Sequence, residues 1–304
     1  MLEFSQILLF ASTLIVALAF GIYVMATFVA RNMSSAKQSA TVAAPTSASA
    51  VVVESNVTST ETQVQPTQAR GLPRMGNLLE KLAFLTLTAS VIVRYIATGE
   101  PPLANQYEFA TAFVWGMLAF QIYFEHRYRI RTLALFTLPV ILGMLIYVTS
   151  LDFAKEPLMP ALQNSPLLTL HVFTAALSYG AAVIGFGAAI MYLLAPKVTW
   201  RGWPRPEILE ELGYKSVVFA FPLLTIMIVL GAIWGNIAWG RYWGWDPKET
   251  SALVTWLIYG AYVHARVVRG WRGRKSAWLL VLGFSAVLFT FFGNLWFDSL
   301  HSYA

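Results

Sequence analysis

The chain has 304 residues, 57% of them hydrophobic and 12% charged, with a formal net charge of +6, four histidines and no cysteine. Soluble domains carry about a quarter charged residues, so this composition belongs to an integral membrane protein. Without cysteine there is no disulfide, thiolate metal ligand or thiol nucleophile, and any redox or covalent chemistry falls to a bound cofactor or a partner.

A membrane-crossing helix needs about 20 mostly apolar residues. Eight segments read that way, at 5–30, 77–97, 108–124, 132–150, 167–194, 216–235, 251–268 and 277–297, the third and seventh being short. The first has neither a basic stretch ahead of it nor a small-residue cleavage site, so it reads as a retained helix rather than a signal peptide. Residues 31–75 are rich in Ala, Ser, Thr, Val and Gln and hold no aromatic residue. That composition cannot build a core and predicts a disordered linker on the cytoplasmic side. The chain then divides into a leading helix (1–30), the linker (31–75) and a seven-helix bundle (76–304), with no internal repeat.

Short cytoplasmic loops are enriched in Lys and Arg. One set of connections carries Arg127, Arg129 and Arg131, then Lys197, Arg201, Arg205 and Lys215, then Arg266, Arg269, Arg272, Arg274 and Lys275. The alternate set carries Glu100, Asp152, Glu156, Asp246, Glu249 and Asp298. The fold class expected is therefore an all-α integral membrane protein of about eight transmembrane helices with both termini extracytoplasmic. The positive net charge reflects this topology and implies no nucleic-acid partner.

Between the sixth and seventh spans, on the outer side, "WGNIAWGRYWGWDPKETSALVTW" places Trp234, Trp239, Trp243 and Trp245 within a dozen residues, each beside a glycine. Asp246, Pro247 and Glu249 form a helix-start signal, with Asp as N-cap, Pro at the first helical position and Glu reaching back to the cap amide. Interfacial tryptophans anchor helices at the headgroup level, but four together exceed that need. An apolar surface of this size marks a binding site, and flat indoles suit a flat ligand.

The histidines narrow the ligand. His171 opens the fifth span on the outer side and His301 follows the eighth on that same side, where two imidazoles beside an aromatic platform suit the axial positions of a haem iron. Each histidine alone reads as an interfacial residue hydrogen-bonded to headgroups. His264, in "TWLIYGAYVHARVV", lies in the cytoplasmic half of the seventh span, where an ionisable group is costly without a partner or ligand. His126, in "FEHRYRIR", reads as a solvated boundary residue.

These motifs resemble a known family. "WGRYWGWDPKET" is similar to the tryptophan-rich WWD signature of haem-handling proteins, here in a loop at 234–250. "PPLANQYE", "MPALQNSPLLTLH" and "LHSYA" resemble segments of the CcsA (ResC) subunit of the System II cytochrome c synthase. The resemblance implies that His171 and His301 are external ligands of haem iron flanking a tryptophan clamp of Trp234, Trp239, Trp243, Trp245 and Asp246. It also implies that His264 serves an inner haem site completed by a CcsB/ResB membrane subunit. His126 matches no ligand, and "FFGNLWFDSLHSYA" departs from the family's Gly-Val-Asn form.

The activity implied is a haem lyase within such a complex. It moves haem b across the membrane and presents it reduced to apocytochrome c, whose Cys-x-x-Cys-His thiols add to the vinyl groups. Thiol-reducing proteins are candidate further partners, and the setting expected is a bacterial plasma membrane, with the plastid thylakoid as alternative. Arg241 and Lys248 are candidates to pair with haem propionates. Two alternatives stand beside this reading: a System I relative of the CcmC or CcmF type, and a small-molecule transporter in which the tryptophans are only anchors. Eight spans, "DPKET" and "LHSYA" favour System II, and transporters favour internal repeats and broken helices.

Overall fold

The computed structural model describes residues 1–42, 67–103, 105–154, 166–198, 202–293 and 296–297. Eight α-helices make up the fold: α1 (Leu2–Val42), α2 (Thr67–Thr98), α3 (Gln106–Tyr128), α4 (Ala134–Ser150), α5 (Pro166–Leu194), α6 (Pro206–Trp239), α7 (Pro247–Val267) and α8 (Arg274–Phe292). No strand occurs among the described residues.

Six of the eight are long and apolar enough to cross a membrane; α3 and α7 are not among them. Their own residues give the reason. Glu108, Thr111, Gln121 and Glu125 of α3 are buried inside the bundle, and α7 opens on Pro247-Lys248-Glu249-Thr250 and ends with His264 and Arg266 in its last turn. Helices whose polar side chains find partners indoors lose hydropathy without losing a place in the bundle.

Local chemistry sets several helix ends. Asn105 caps α3 by accepting the Glu108 amide at 3.0 Å. Gly240 stops α6 in the left-handed region at φ 72°, its amide bonded to the Asn236 carbonyl, which a glycine adopts without Cβ strain. Pro139 in α4 and Pro222 in α6 lie inside their helices, as membrane bundles tolerate.

At the heart of the bundle, α5 crosses α3 glycine against glycine. A Cβ on Gly116 would lie 2.2 Å from the Ala176 carbonyl oxygen, and one on Gly180 would lie 2.3 Å from that of Gly116. Small residues let membrane helices approach backbone to backbone, and this contact fixes α5 as the central post.

The leading helix is not a separate unit. Ser12 donates to the Ala83 carbonyl (2.9 Å), Ser90 to the Ser5 carbonyl (2.6 Å), Tyr107 to Gln6 (2.7 Å) and Tyr23 to Glu125 (2.7 and 2.8 Å). Both ends of the expected 31–75 linker are helical, since α1 continues through Val42 and α2 begins at Thr67. Ala, Lys and Gln in those stretches are good helix formers; residues 43–66 lie outside the described part.

At the far end of the bundle from the tryptophan loop, Glu210 of α6 ties the basic connection together. It accepts the Gly273 amide at 2.6 Å and pairs with Arg266 at 3.3 Å.

Candidate haem-handling site

The tryptophan loop is held by the start of α7. Asp246 accepts the Lys248 amide at 2.9 Å, and both halves of the expected capping box with Glu249 are present. Glu249 does more than the motif announces. Its Oε2 takes the amides of Gly244 (2.8 Å) and Asp246 (3.3 Å), the two residues on either side of Trp245. Trp245 sits at φ 56°, a conformation that a bulky L-residue adopts only when its surroundings impose it. The indole is thrown outward and is 70% exposed.

The four tryptophans divide into two pairs. Trp234 and Trp239 meet edge to face at 4.8 Å and pack with Leu103, Leu168 and Val172, so they clamp the end of α6 to the start of α5. Trp243 and Trp245 meet edge to face at 5.8 Å on the outer side of the loop. The single flat platform expected from the sequence is thus a wedge of buried Trp234 against Trp239, a half-buried Trp243 and a projecting Trp245.

Beneath the loop lies a cavity of about 90 Å³ lined by His171, Trp234, Tyr242, Trp243, Lys248 and Phe291, among others. Sites that engulf a small molecule run to roughly 300–1,000 Å³, so the described residues enclose less space than a whole small molecule needs and form an open wall. His171 is half-buried there, with Nδ1 2.8 Å from the Met227 carbonyl oxygen. With Nδ1 donating its proton to that oxygen, Nε2 becomes the lone-pair nitrogen, the arrangement metal-ligating histidines adopt. Gly231 makes room for the ring: a Cβ there would lie 2.7 Å from His171 Cε1.

Lys248 faces the same cavity, 5.6 Å from the centre of the Phe109 ring. Burial pushes its ammonium down to about 8, opposed by the Asp246 carboxylate. Arg241 lies exposed, its guanidinium over Gly244, where a Cβ would lie 2.9 Å from Nε.

His301 lies outside the described residues; α8 ends at Phe292, and Phe291 lines the cavity. His264 is exposed in the last turn of α7. At about 1.5 Å of rise per residue, it stands about 24 Å along the helix from Lys248. The structure therefore brings His171, Trp234, Trp243 and Lys248 together and leaves His264 apart, on the outer surface of the chain. His126 is exposed at the end of α3, in keeping with a boundary residue. Tyr242, Gly231 and the double grip of Glu249 were not legible in advance, because each depends on which helix faces which.

A family profile described as Cytochrome C assembly protein matches residues 103–301. The chain belongs to that family. Curated relatives point the same way. A cytochrome c biogenesis protein CcsA of Guillardia theta is 38% identical over 250 residues, covering 73% of this chain and 83% of that protein. Proteins of the same name from Gloeobacter violaceus and Microcystis aeruginosa are each 34% identical, covering 76% of this chain and 87% and 88% of theirs. Family membership supports a role in cytochrome c biogenesis, and with it the handling of haem.

Proposed function

We propose that the chain carries haem b from an inner site at His264 to an outer site built on His171, His301 and the tryptophan loop. There it presents the reduced haem to extracytoplasmic apocytochrome c, in a bacterial plasma membrane and together with a CcsB/ResB-type subunit. Haem is the cargo, and each thioether forms as a cysteine S–H adds across a vinyl C=C, with no leaving group.

The observation that carries this reading is His171: an imidazole set in an aromatic-walled cavity with Nδ1 engaged by a backbone carbonyl, so that Nε2 is the nitrogen suited to a metal. Trp243 and Trp245 supply ring contact, and Lys248 a cation for a propionate. An open wall suits a cargo that must be handed on, since a vinyl edge has to meet the apocytochrome thiols. The exposed place of His264 suits an iron ligand pair shared with another subunit, because a site completed by a partner has to face it.

Co-expression with a CcsB-type subunit and an apocytochrome c, in a host without its own maturation system, tests the reading. Wild type is expected to give covalently haem-stained cytochrome, and His171→Ala none, at equal amounts of membrane-inserted protein. Normal yield from His171→Ala overturns it.

A further inference from the structure

A second cavity, of about 290 Å³, lies between α2, α3 and α5 and is walled by apolar side chains, among them Val91, Ile92, Trp115 and Phe173. Val172 lines both cavities, so this one sits at the same end of the bundle as His171. Its rim faces outward, with Ile92 52% and Phe173 46% exposed. Such a rim opens sideways from the bundle, toward the acyl region of a surrounding membrane.

Two charged groups, the paired Arg94 and Glu108, interrupt the apolar wall. Arg94 is buried, its Nε pairs with Glu108, its Nη1 donates to the Phe153 carbonyl at 2.9 Å, and its guanidinium lies 4.7 Å from the Tyr107 ring centre. Its Nη2 is buried and has no hydrogen-bond partner among the described residues. A buried guanidinium N–H without an acceptor is costly, and native structures supply one. Glu108 already balances the arginine charge, and a further anion in so apolar a space would bring an uncompensated charge. The missing acceptor is therefore a neutral oxygen.

We propose that this cavity binds a neutral membrane amphiphile, whose carbonyl oxygen accepts from Arg94 Nη2 and whose apolar tail runs past Val91 and Trp115 to the rim at Ile92 and Phe173. Two classes of membrane molecule carry that chemistry, a quinone and a neutral glycerolipid ester.

The test uses the full chain, purified in delipidating detergent and monitored by its unfolding temperature. The titrants are decylbenzoquinone, dioctanoylglycerol, or decylbenzene as the analogue without a carbonyl. A ligand that binds only the folded state raises that temperature with concentration. Wild type is expected to show the rise with at least one of the first two and a smaller one with decylbenzene; which one acts identifies the class. Arg94→Lys keeps the charge opposite Glu108 but removes the guanidinium fork and its Nη2, and should lose the preference for the carbonyl. Val91→Phe fills the cavity without touching the ion pair, and should abolish the rise even if Arg94→Lys folds poorly. No rise in wild type with either carbonyl compound, or an equal rise in wild type and Val91→Phe, overturns the proposal.

Discussion

Glu249 holds Trp245 by its neighbours rather than by its ring: one carboxylate oxygen takes the amides of Gly244 and Asp246 while the indole between them stands in the left-handed region, exposed. A left-handed L-residue costs roughly 1–2 kcal/mol. Trp245→Gly should therefore unfold at a temperature equal to or above wild type, while cytochrome yield and haem retention fall several-fold. A loss of stability in thermal melts would make Trp245 a packing residue instead. Glu249→Ala should lower both stability and yield, since two amides lose their acceptor at about 1–3 kcal/mol apiece if they stay buried.

Gly231 sets the seat of His171. Because a Cβ there would lie 2.7 Å from the ring, Gly231→Ala should displace the imidazole and weaken its bond to the Met227 carbonyl. The protein should still insert, since alanine is a better helix former than glycine by about 1 kcal/mol. The measurement is cytochrome yield with and without added imidazole. A several-fold loss that imidazole partly restores is expected, and an unchanged yield would show that the ring need not sit where Gly231 admits it.

His264 separates a two-site path from a single outer site. With the CcsB-type subunit present, His264→Ala should deplete haem per mole of purified complex, including at an intact outer site. Its exposed position leaves little packing to lose, so the level of inserted protein should stay near wild type. Full haem content and full yield in this variant would remove the inner site from the proposal.

Lys248 gives the site a pH dependence. Its folded-state value of about 8 lies below the ordinary 10.5, so between those values the unfolded chain holds more protons, and stability rises with pH across that window. Below it both states are protonated and the burial penalty is present in full. Anion binding runs the opposite way: a propionate raises the lysine's value, so haem retention should fall as pH climbs above 8. Lys248→Met should flatten both profiles between pH 7 and 10; profiles parallel to wild type would exclude this lysine as their source.

Composition and apolar runs determined the all-helical membrane character and six of the eight helices, because the hydrocarbon thickness imposes a long apolar run that is read along the chain with no knowledge of neighbours; α3 and α7 showed only short apolar segments, their polar residues belonging to the bundle. The helix start at Asp246 was equally legible, since a cap is chemistry among residues at most four apart. The role of each tryptophan was not. Trp234 is 2% exposed and Trp245 is 70% exposed, although each indole stands beside a glycine. What parts them is the packing of α6 on α5 and the grip of Glu249 on the backbone of the loop. The seat of His171 beside Gly231 and the reach of Arg94 into a second cavity have the same origin. Which side chains meet across a bundle depends on the rotation and depth of each helix, and those are set by contacts between distant residues, such as Gly116 against Gly180, that leave no periodic trace along the chain.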